Sequence, residues 1–378
     1  MDFLFYLFAV LCAYSYFLYP MILKLIPARS IQAGQIIDDK GLISLSLIIT
    51  AHNEEGRIQQ KLENSLQIDY PDELLEIIVA SDCSSDATES IVASYADKGV
   101  RLVRADQRKG KEYAQLCAIR ESNGRVLVFS DVATRIPPEA LRLMARRFAD
   151  QQIGAVSSED RFISNDGSVV GEGAYVKYEM WLRRLESDRA GLVGLSGSFF
   201  AARREVCEQW DIYAPSDFNT ALNCAGKGLV AITCPDVHGI YKDVKDPGLE
   251  YRRKMRTVIR GITAIARHPE VLNPLTMGLF AFQVWSHKIM RWGVPWFMLV
   301  FAMLTIALQG QGIIFTLALV AQAAFYALAL AGWLSAQLRE NTLVRIIYFF
   351  VQTNLALAQA TLAFFSGKRM TVWTPSQR

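Results

Sequence analysis

The chain offers little for holding a metal through sulfur or imidazole. Its six cysteines (Cys12, Cys83, Cys117, Cys207, Cys224 and Cys234) form no CxxC pair, and none stands at metal-ligand spacing from the four histidines. That pattern excludes a thiolate metal centre and a disulfide framework, and in a cytosolic domain the six read as free packing thiols. Charge is scarce too. Asp, Glu, Lys and Arg make up 20% of the 378 residues against 52% hydrophobic, which is too apolar for an ordinary soluble protein and too charged for a pure helical membrane bundle. A net charge of +3 gives bulk electrostatics no bearing on nucleic acid, and no nucleic-acid partner is expected. There is no internal repeat and no low-complexity tract.

What is present divides into apolar ends and a patterned middle. Residues 3–23 carry no charge and are long enough to cross a bilayer as a helix. A cleaved signal is disfavoured, because Lys24 and Arg29 follow the apolar run and no small-residue cleavage site closes it. Residues 1–30 are therefore expected to form a transmembrane anchor, with the N-terminus outside and the following domain in the cytosol. Beyond Pro274 come apolar blocks at about 292–308, 312–334 and 343–366, preceded by LTMGLFAFQVWSHKIMRW, whose His287, Lys288 and Arg291 suit a membrane interface. Three crossings would leave the C-terminus outside, whereas Lys368, Arg369 and Arg378 favour the cytosol.

Between about 41 and 270, short β-branched runs alternate with helical stretches. LISLSLIIT, LLEIIVA, VRLVRA and RVLVFS read as strands separated by helices, which predicts an α/β domain with a mostly parallel sheet. The later runs AVSSEDRFIS and GLVGLSGSFFAARRE read as strands around a helix, GEGAYVKYEMWLRRLES, and SDFNTALNCAGKG as a further helix leading into a strand. Residues 41–270 are taken as one domain and 271–378 as the membrane part with its basic tail.

Ligand sites in such sheets lie outside the carboxyl ends of the strands, so acids at those ends carry the interest. The first strand ends in Thr50-Ala51-His52-Asn53-Glu54-Glu55, where a strand end and a helix start suit a nucleotide; Asn53 can equally cap the helix. Asp82 follows the second strand and can accept from a base N–H or a ribose hydroxyl, whereas capping explains Asp86. Gly110-Lys111 opens a helix where a lysine can reach a phosphate. Asp131 ends the fourth strand and can hold a divalent cation bridging phosphates, although Ala133 stands where a DxD pair has its second acid. Asp217 opens a helix either as its cap or as a general base. Arg253, Arg256 and Arg260 share one helical face, suited to a diphosphate or to anionic lipid.

In order along the chain, IITAHNEE, VASDCSSDAT, RKGKEYAQ, VFSDVAT, GLSGSFFAARR, PSDF, RRKMRTVIRG, SHKIMRW and GKRMTVWTPSQR resemble family 2 glycosyltransferases of the GT-A fold. The resembled branch is the membrane-anchored bacterial polysaccharide synthases, those of cellulose, chitin, hyaluronan and poly-N-acetylglucosamine. The resemblance implies a nucleotide-sugar donor, a UDP-sugar, with Ala51 lying against it, Glu54 and Asp82 at the nucleoside and Lys111 at the diphosphate. It implies Mg²⁺ or Mn²⁺ on Asp131 and Asp217 as catalytic base, with Ser216 in the first place of the family's acidic pair. Arg253 and Arg256 fit the Q/RxxRW segment, but Thr257 replaces its tryptophan, which bears on processivity. Gly197 and Arg203 would border the acceptor, a saccharide or lipid-linked group. The implied reaction is inverting transfer at the bacterial inner membrane, making a polysaccharide or glycolipid. Transfer of one sugar to a polyprenyl phosphate, and a non-catalytic scaffold or export subunit with a degenerate fold, are the alternatives.

Overall fold

The computed structural model describes residues 1–29, 41–163, 174–242 and 247–370. It opens on a continuous helix, α1 (Asp2–Ala13), a π-helical turn Tyr14–Leu18 and α2 (Tyr19–Leu25). Then follow β1 (Leu45–Ala51), α3 (Ile58–Ser65), β2 (Leu75–Ser81), α4 (Thr88–Ala93), β3 (Val100–Arg104), α5 (Lys111–Glu121) and β4 (Val126–Asp131). After these come α6 (Ala140–Arg147), β5 (Ile153–Ile163), α7 (Ala174–Ser187), β6 (Phe199–Arg203), α8 (Ser216–Gly226) and β7 (Val230–Lys242). The chain continues through α9 (Pro247–Arg267), α10 (Pro274–Val284), α11 (Met290–Ala307), α12 (Ile313–Leu334) and α13 (Thr342–Phe365). Of the expected strands, GLVGLSGSFFAARRE shrinks to its last part, because residues before Phe199 form a loop.

Two compact units emerge. The sheet unit comprises the described residues of Ile26–Lys245 with Thr263–Phe282; the apolar unit comprises Met1–Leu25, Gln283–Arg369 and the described residues of Asp246–Ile262. One of the boundaries between them falls inside α9, between Ile262 and Thr263.

In the sheet unit seven strands run in the order β3-β2-β1-β4-β6-β5-β7. β1 pairs parallel with β2 and β4, whereas β6 runs antiparallel to both β4 and β5. All seven residues of β1 are buried, because both sheet faces are covered. Leu47 and Ile49 face Ile58, Leu62 and Met144 on one side, and Ile48 joins Phe129, Ala114 and Ala118 on the other. Phe129 stacks on Phe200 and Trp210 at centroid distances of 4.9 and 4.8 Å, and the Trp210 indole N–H donates to the Glu112 carbonyl at 3.0 Å. That aromatic stack joins β4, β6 and α5, the three elements whose ends meet at the site below. Order reverses around β1 and β4, the kind of switch point where open α/β sheets bind ligands.

Four helices among the described residues are long and apolar enough to cross a membrane: Asp2–Leu25, Pro274–Ala307, Ile313–Leu334 and Thr342–Phe365. The stretch expected to lie at the interface is continuous with the first C-terminal block, with a break at Gly278 (φ 52°) and a π-helical turn at Trp285–Ile289. Phe5 packs among Phe301, Leu308 and Phe315, and Gly332 lets α12 approach Val344 and Tyr348 of α13 closely. His287 and Arg291 are buried here, their side chains 3.3 Å apart, with the Arg291 guanidinium over the Tyr16 ring at 5.0 Å. Lys254 of α9 donates to Thr353 at 3.0 Å and Tyr251 to Gln359 at 2.7 Å, so the start of the arginine helix is tied to α13.

Candidate active site

Asp82 is fully buried just past β2. Its backbone N–H donates to the Ala51 carbonyl at 2.9 Å, and its Oδ1 accepts from the N–H groups of Lys109 (3.2 Å) and Gly110 (3.1 Å). Gly110 has φ 101°, a conformation glycine adopts without steric penalty, so the carboxylate and the glycine together set the turn that presents Lys111. Asp82 Oδ2 is buried with no hydrogen-bond partner among the described residues, which suits it to an incoming N–H or hydroxyl.

The loops after β1 and β2 are laced together. Asn53 and Cys83 are the two non-glycine residues with positive φ (52° and 53°) among the described residues, a strained backbone of the sort that gathers at ligand sites. Asn53 Oδ1 accepts from the Ser85 N–H at 2.8 Å rather than capping α3, whose N-cap is Arg57. Asp86 accepts from the N–H groups of Thr88 (3.0 Å) and Glu55 (3.1 Å), the capping role expected of it. Glu54 forms an ion pair with Arg57 at 2.6 Å, and burial, with the charges of Asp131 and Asp86 nearby, raises its carboxyl above the usual range.

The second cluster lies at the end of β4. The Lys111 ammonium, 7% exposed, donates to Asp131 Oδ1 at 2.5 Å and to the Gly197 carbonyl at 2.9 Å. Because β6 is antiparallel, the loop entering it arrives at the carboxyl end of β4, and the Asp131 N–H donates to the Ser198 carbonyl at 3.0 Å. The same loop reaches α8, where the Leu195 N–H donates to the Asp217 carbonyl at 3.2 Å. A methyl group on the Gly197 Cα would stand 3.1 Å from Asp217 Oδ2. Asp217 thus faces Gly197 from the first turn of α8, whose N-cap residue is Pro215.

Lys111, Asp131, Gly197 and Asp217 are therefore brought together, with Asp82 beneath the turn that carries Lys111. Ala51 contributes its backbone as the buried end of β1. Arg253 and Arg256 lie on α9 in the apolar unit. Arg203 is a correction: it pairs with Val126 at the start of β4, at the opposite end of that strand from Asp131. There its guanidinium donates to the carbonyls of Ile153 (2.7 Å), Phe148 (2.8 Å) and Asp150 (2.9 Å). Those carbonyls run from the C-cap of α6 to the first residue of β5, so Arg203 ties that connection to the start of β4, away from Asp131.

Two residues escaped the sequence reading. Lys61, 3% exposed on α3, donates to Ser130 Oγ at 2.7 Å and to the Thr134 carbonyl at 2.6 Å, bracing the turn that holds Asp131. Asp160 accepts from the hydroxyls of Ser196 (2.6 Å) and Ser198 (2.9 Å), on either side of Gly197. No motif marks either residue; only the strand order brings them to the site.

Residues 46–210 match the family model described as Glycosyl transferase family 2. That segment is a family 2 glycosyltransferase domain. A probable glycosyltransferase of Bacillus subtilis (strain 168) is 30% identical over 186 residues, 46% of this chain and 44% of that protein. A poly-beta-1,6-N-acetyl-D-glucosamine synthase of Staphylococcus epidermidis is 25% identical over 175 residues, 44% of this chain and 42% of that protein. The chain thus spans less than half the length of these curated relatives. Among solved structures, a mannosyltransferase from Pyrobaculum calidifontis, in complex with GDP-Man and Mn²⁺, has a TM-score of 0.73 and 22% identity, covering 97% of this chain and 99% of that one. The glycosyltransferase domain therefore has the GT-A fold, a mixed, mostly parallel sheet, in a chain with apolar helices at both ends.

Burial pushes the Lys61 ammonium down to about 7, with Asp131 acting in the opposite sense. From there to the ordinary lysine value of 10.5, the unfolded chain holds a proton that the native protein has released, so this lysine makes stability rise with pH across that window. In melts of purified protein, Lys61→Met should gain most over wild type below about pH 7, the gain shrinking towards about pH 10. A difference independent of pH would contradict the burial of the ammonium. Gly197→Ala should push Asp217 aside and lower sugar transfer roughly 10-fold or more at nearly unchanged melting temperature; undiminished transfer would show that the contact does not matter.

Proposed function

We propose that the protein is a membrane-bound inverting glycosyltransferase, moving a sugar from a nucleotide-sugar donor to a saccharide or glycolipid acceptor of the cell envelope. The observation that carries this reading is the approach of Asp217 to the Gly197 loop whose carbonyl and neighbouring Asp131 hold the Lys111 ammonium. A proton acceptor and a fixed cation then stand on either side of one short loop. Acid–base chemistry on a hydroxyl and stabilisation of a departing diphosphate need those two groups.

On this reading Asp82, through its buried unpartnered oxygen, and Glu54 hold the nucleoside, and Lys111 meets the diphosphate. Asp217 accepts the proton of the attacking acceptor hydroxyl, the hydroxyl oxygen bonds to the anomeric carbon from the face opposite the nucleotide, and the nucleoside diphosphate departs. Arg253 and Arg256 enter as diphosphate partners from the resemblance alone. The donor set fits a divalent cation brought in with the donor rather than a resident one: Asp131 is its one protein carboxylate, and no group of three metal-binding side chains occurs among the described residues. Such a cation, Mg²⁺ or Mn²⁺, would neutralise charge on the diphosphate. The GDP-Man and Mn²⁺ of the archaeal mannosyltransferase, whose fold matches nearly the whole chain, support both donor class and metal. A UDP-sugar, as in the resembled synthases, stays the first donor to test, at an inner membrane with the sheet unit in the cytosol.

A dolichyl-phosphate beta-glucosyltransferase of Drosophila melanogaster, 31% identical over 134 residues, favours a second reading, transfer of one sugar to a lipid phosphate. Analysis of the product separates the two, since a single-sugar lipid supports the latter and a polymer the former. Asp217→Asn should bind the donor as wild type does while transfer falls about 10²- to 10⁴-fold. Full transfer by that variant would remove Asp217 as the base.

A further inference from the structure

The loop Leu195–Ser198 is tied backbone to backbone to both aspartates: the Leu195 N–H donates to the Asp217 carbonyl, and the Ser198 carbonyl accepts from the Asp131 N–H. Something must hold it still, since a glycine at its centre leaves it free to move. β5 does so with a row of side chains. Ser157 Oγ accepts from the Ser196 N–H at 2.7 Å and from Arg183 Nη2 at 2.8 Å, and Ser158 Oγ donates to the Phe199 carbonyl at 2.7 Å. Asp160 Oδ1 accepts from both Ser196 Oγ (2.6 Å) and Ser198 Oγ (2.9 Å), which are themselves 3.0 Å apart. Gly239, paired with Asp160 across β7, leaves the space for this row, because a methyl there would stand 3.3 Å from the hydroxyl oxygens of Ser158 and Ser198.

We infer that Asp160 is a positioning residue for the transfer reaction: its carboxylate clamps the two serines flanking Gly197 and thereby fixes Asp217 relative to Asp131 and Lys111. A carboxylate suits this task because it only accepts, so it can take both hydroxyls through one oxygen, and charge-assisted O–H bonds are short and strong. Asparagine keeps an accepting oxygen; alanine does not. The inference rests on the transferase reading for its catalytic half, while the clamp itself is a statement about the loop.

The test uses the full chain in detergent, with Asp160→Asn and Asp160→Ala compared to wild type. Hydrogen–deuterium exchange over residues 194–199 should rise about 10-fold or more in Asp160→Ala, a local opening rather than a change of fold. With a working donor, the same variant should lose about 10²-fold in kcat with donor KM within about twofold, since misplacement by an ångström has that effect on chemistry. Asp160→Asn should keep exchange near wild type and kcat within about 10-fold. Unchanged exchange in Asp160→Ala, or an Asn variant as impaired as the Ala variant, overturns the proposal. Should wild type release nucleotide from no sugar donor, the transferase reading falls while the exchange arm still decides the clamp.

Discussion

Lys111 holds a buried ammonium between a carboxylate at the end of one strand and a carbonyl in the loop leading into its antiparallel neighbour. A charge in that position is tolerable only because both partners are in place, and both depend on the register of β4 with β6, Ser130 opposite Phe199. The Phe129, Phe200 and Trp210 stack fixes that register from below and ties it to α5, the helix that Lys111 begins. The apolar core and the polar site are thus two ends of one arrangement. Shifting β6 by one residue would turn its inward side chains outward and separate the lysine from its carbonyl.

Strands β1, β2 and β4 were readable because each is a largely apolar run ending in a polar turn, buried over most of its length, whereas the edge strand β3, VRLVR, shows only a short β-branched pattern. Asp82 and Asp131 stand out in the sequence as charged residues at the ends of such runs, and Lys111 and Asp217 as charges in the first turn of α5 and α8. The sequence does not show the direction of β6, since GLSGSFFAARR looks the same parallel or antiparallel. That direction decides which end of the segment reaches the site. Gly197, at its start, arrives beside Asp217, whereas Arg203, at its end, is carried to the other side of the sheet and serves the carbonyls after α6. Lys61 and Asp160 sit within helix and strand, where a lone charge reads as a solvated face, and only the tertiary structure gives them partners.

The apolar unit shows the same division between pattern and packing. Hydropathy marks the apolar helices, and four are long enough to cross a bilayer. It does not show that His287 and Arg291 stand in the same helical span as the block that follows, nor that these two side chains and Tyr16 make one buried contact. Ionisable groups inside apolar helices are costly and seldom incidental.

The most direct measurement is nucleoside-diphosphate release by the purified full-length protein, offered a panel of nucleotide sugars with Mg²⁺ or Mn²⁺ and compared with Lys111→Met. The expected result is release from at least one donor by wild type, lost in the variant and lost again when the divalent cation is chelated. Release that survives the loss of Lys111, or no binding of any nucleotide sugar by wild type, would contradict the assignment of this site to sugar transfer.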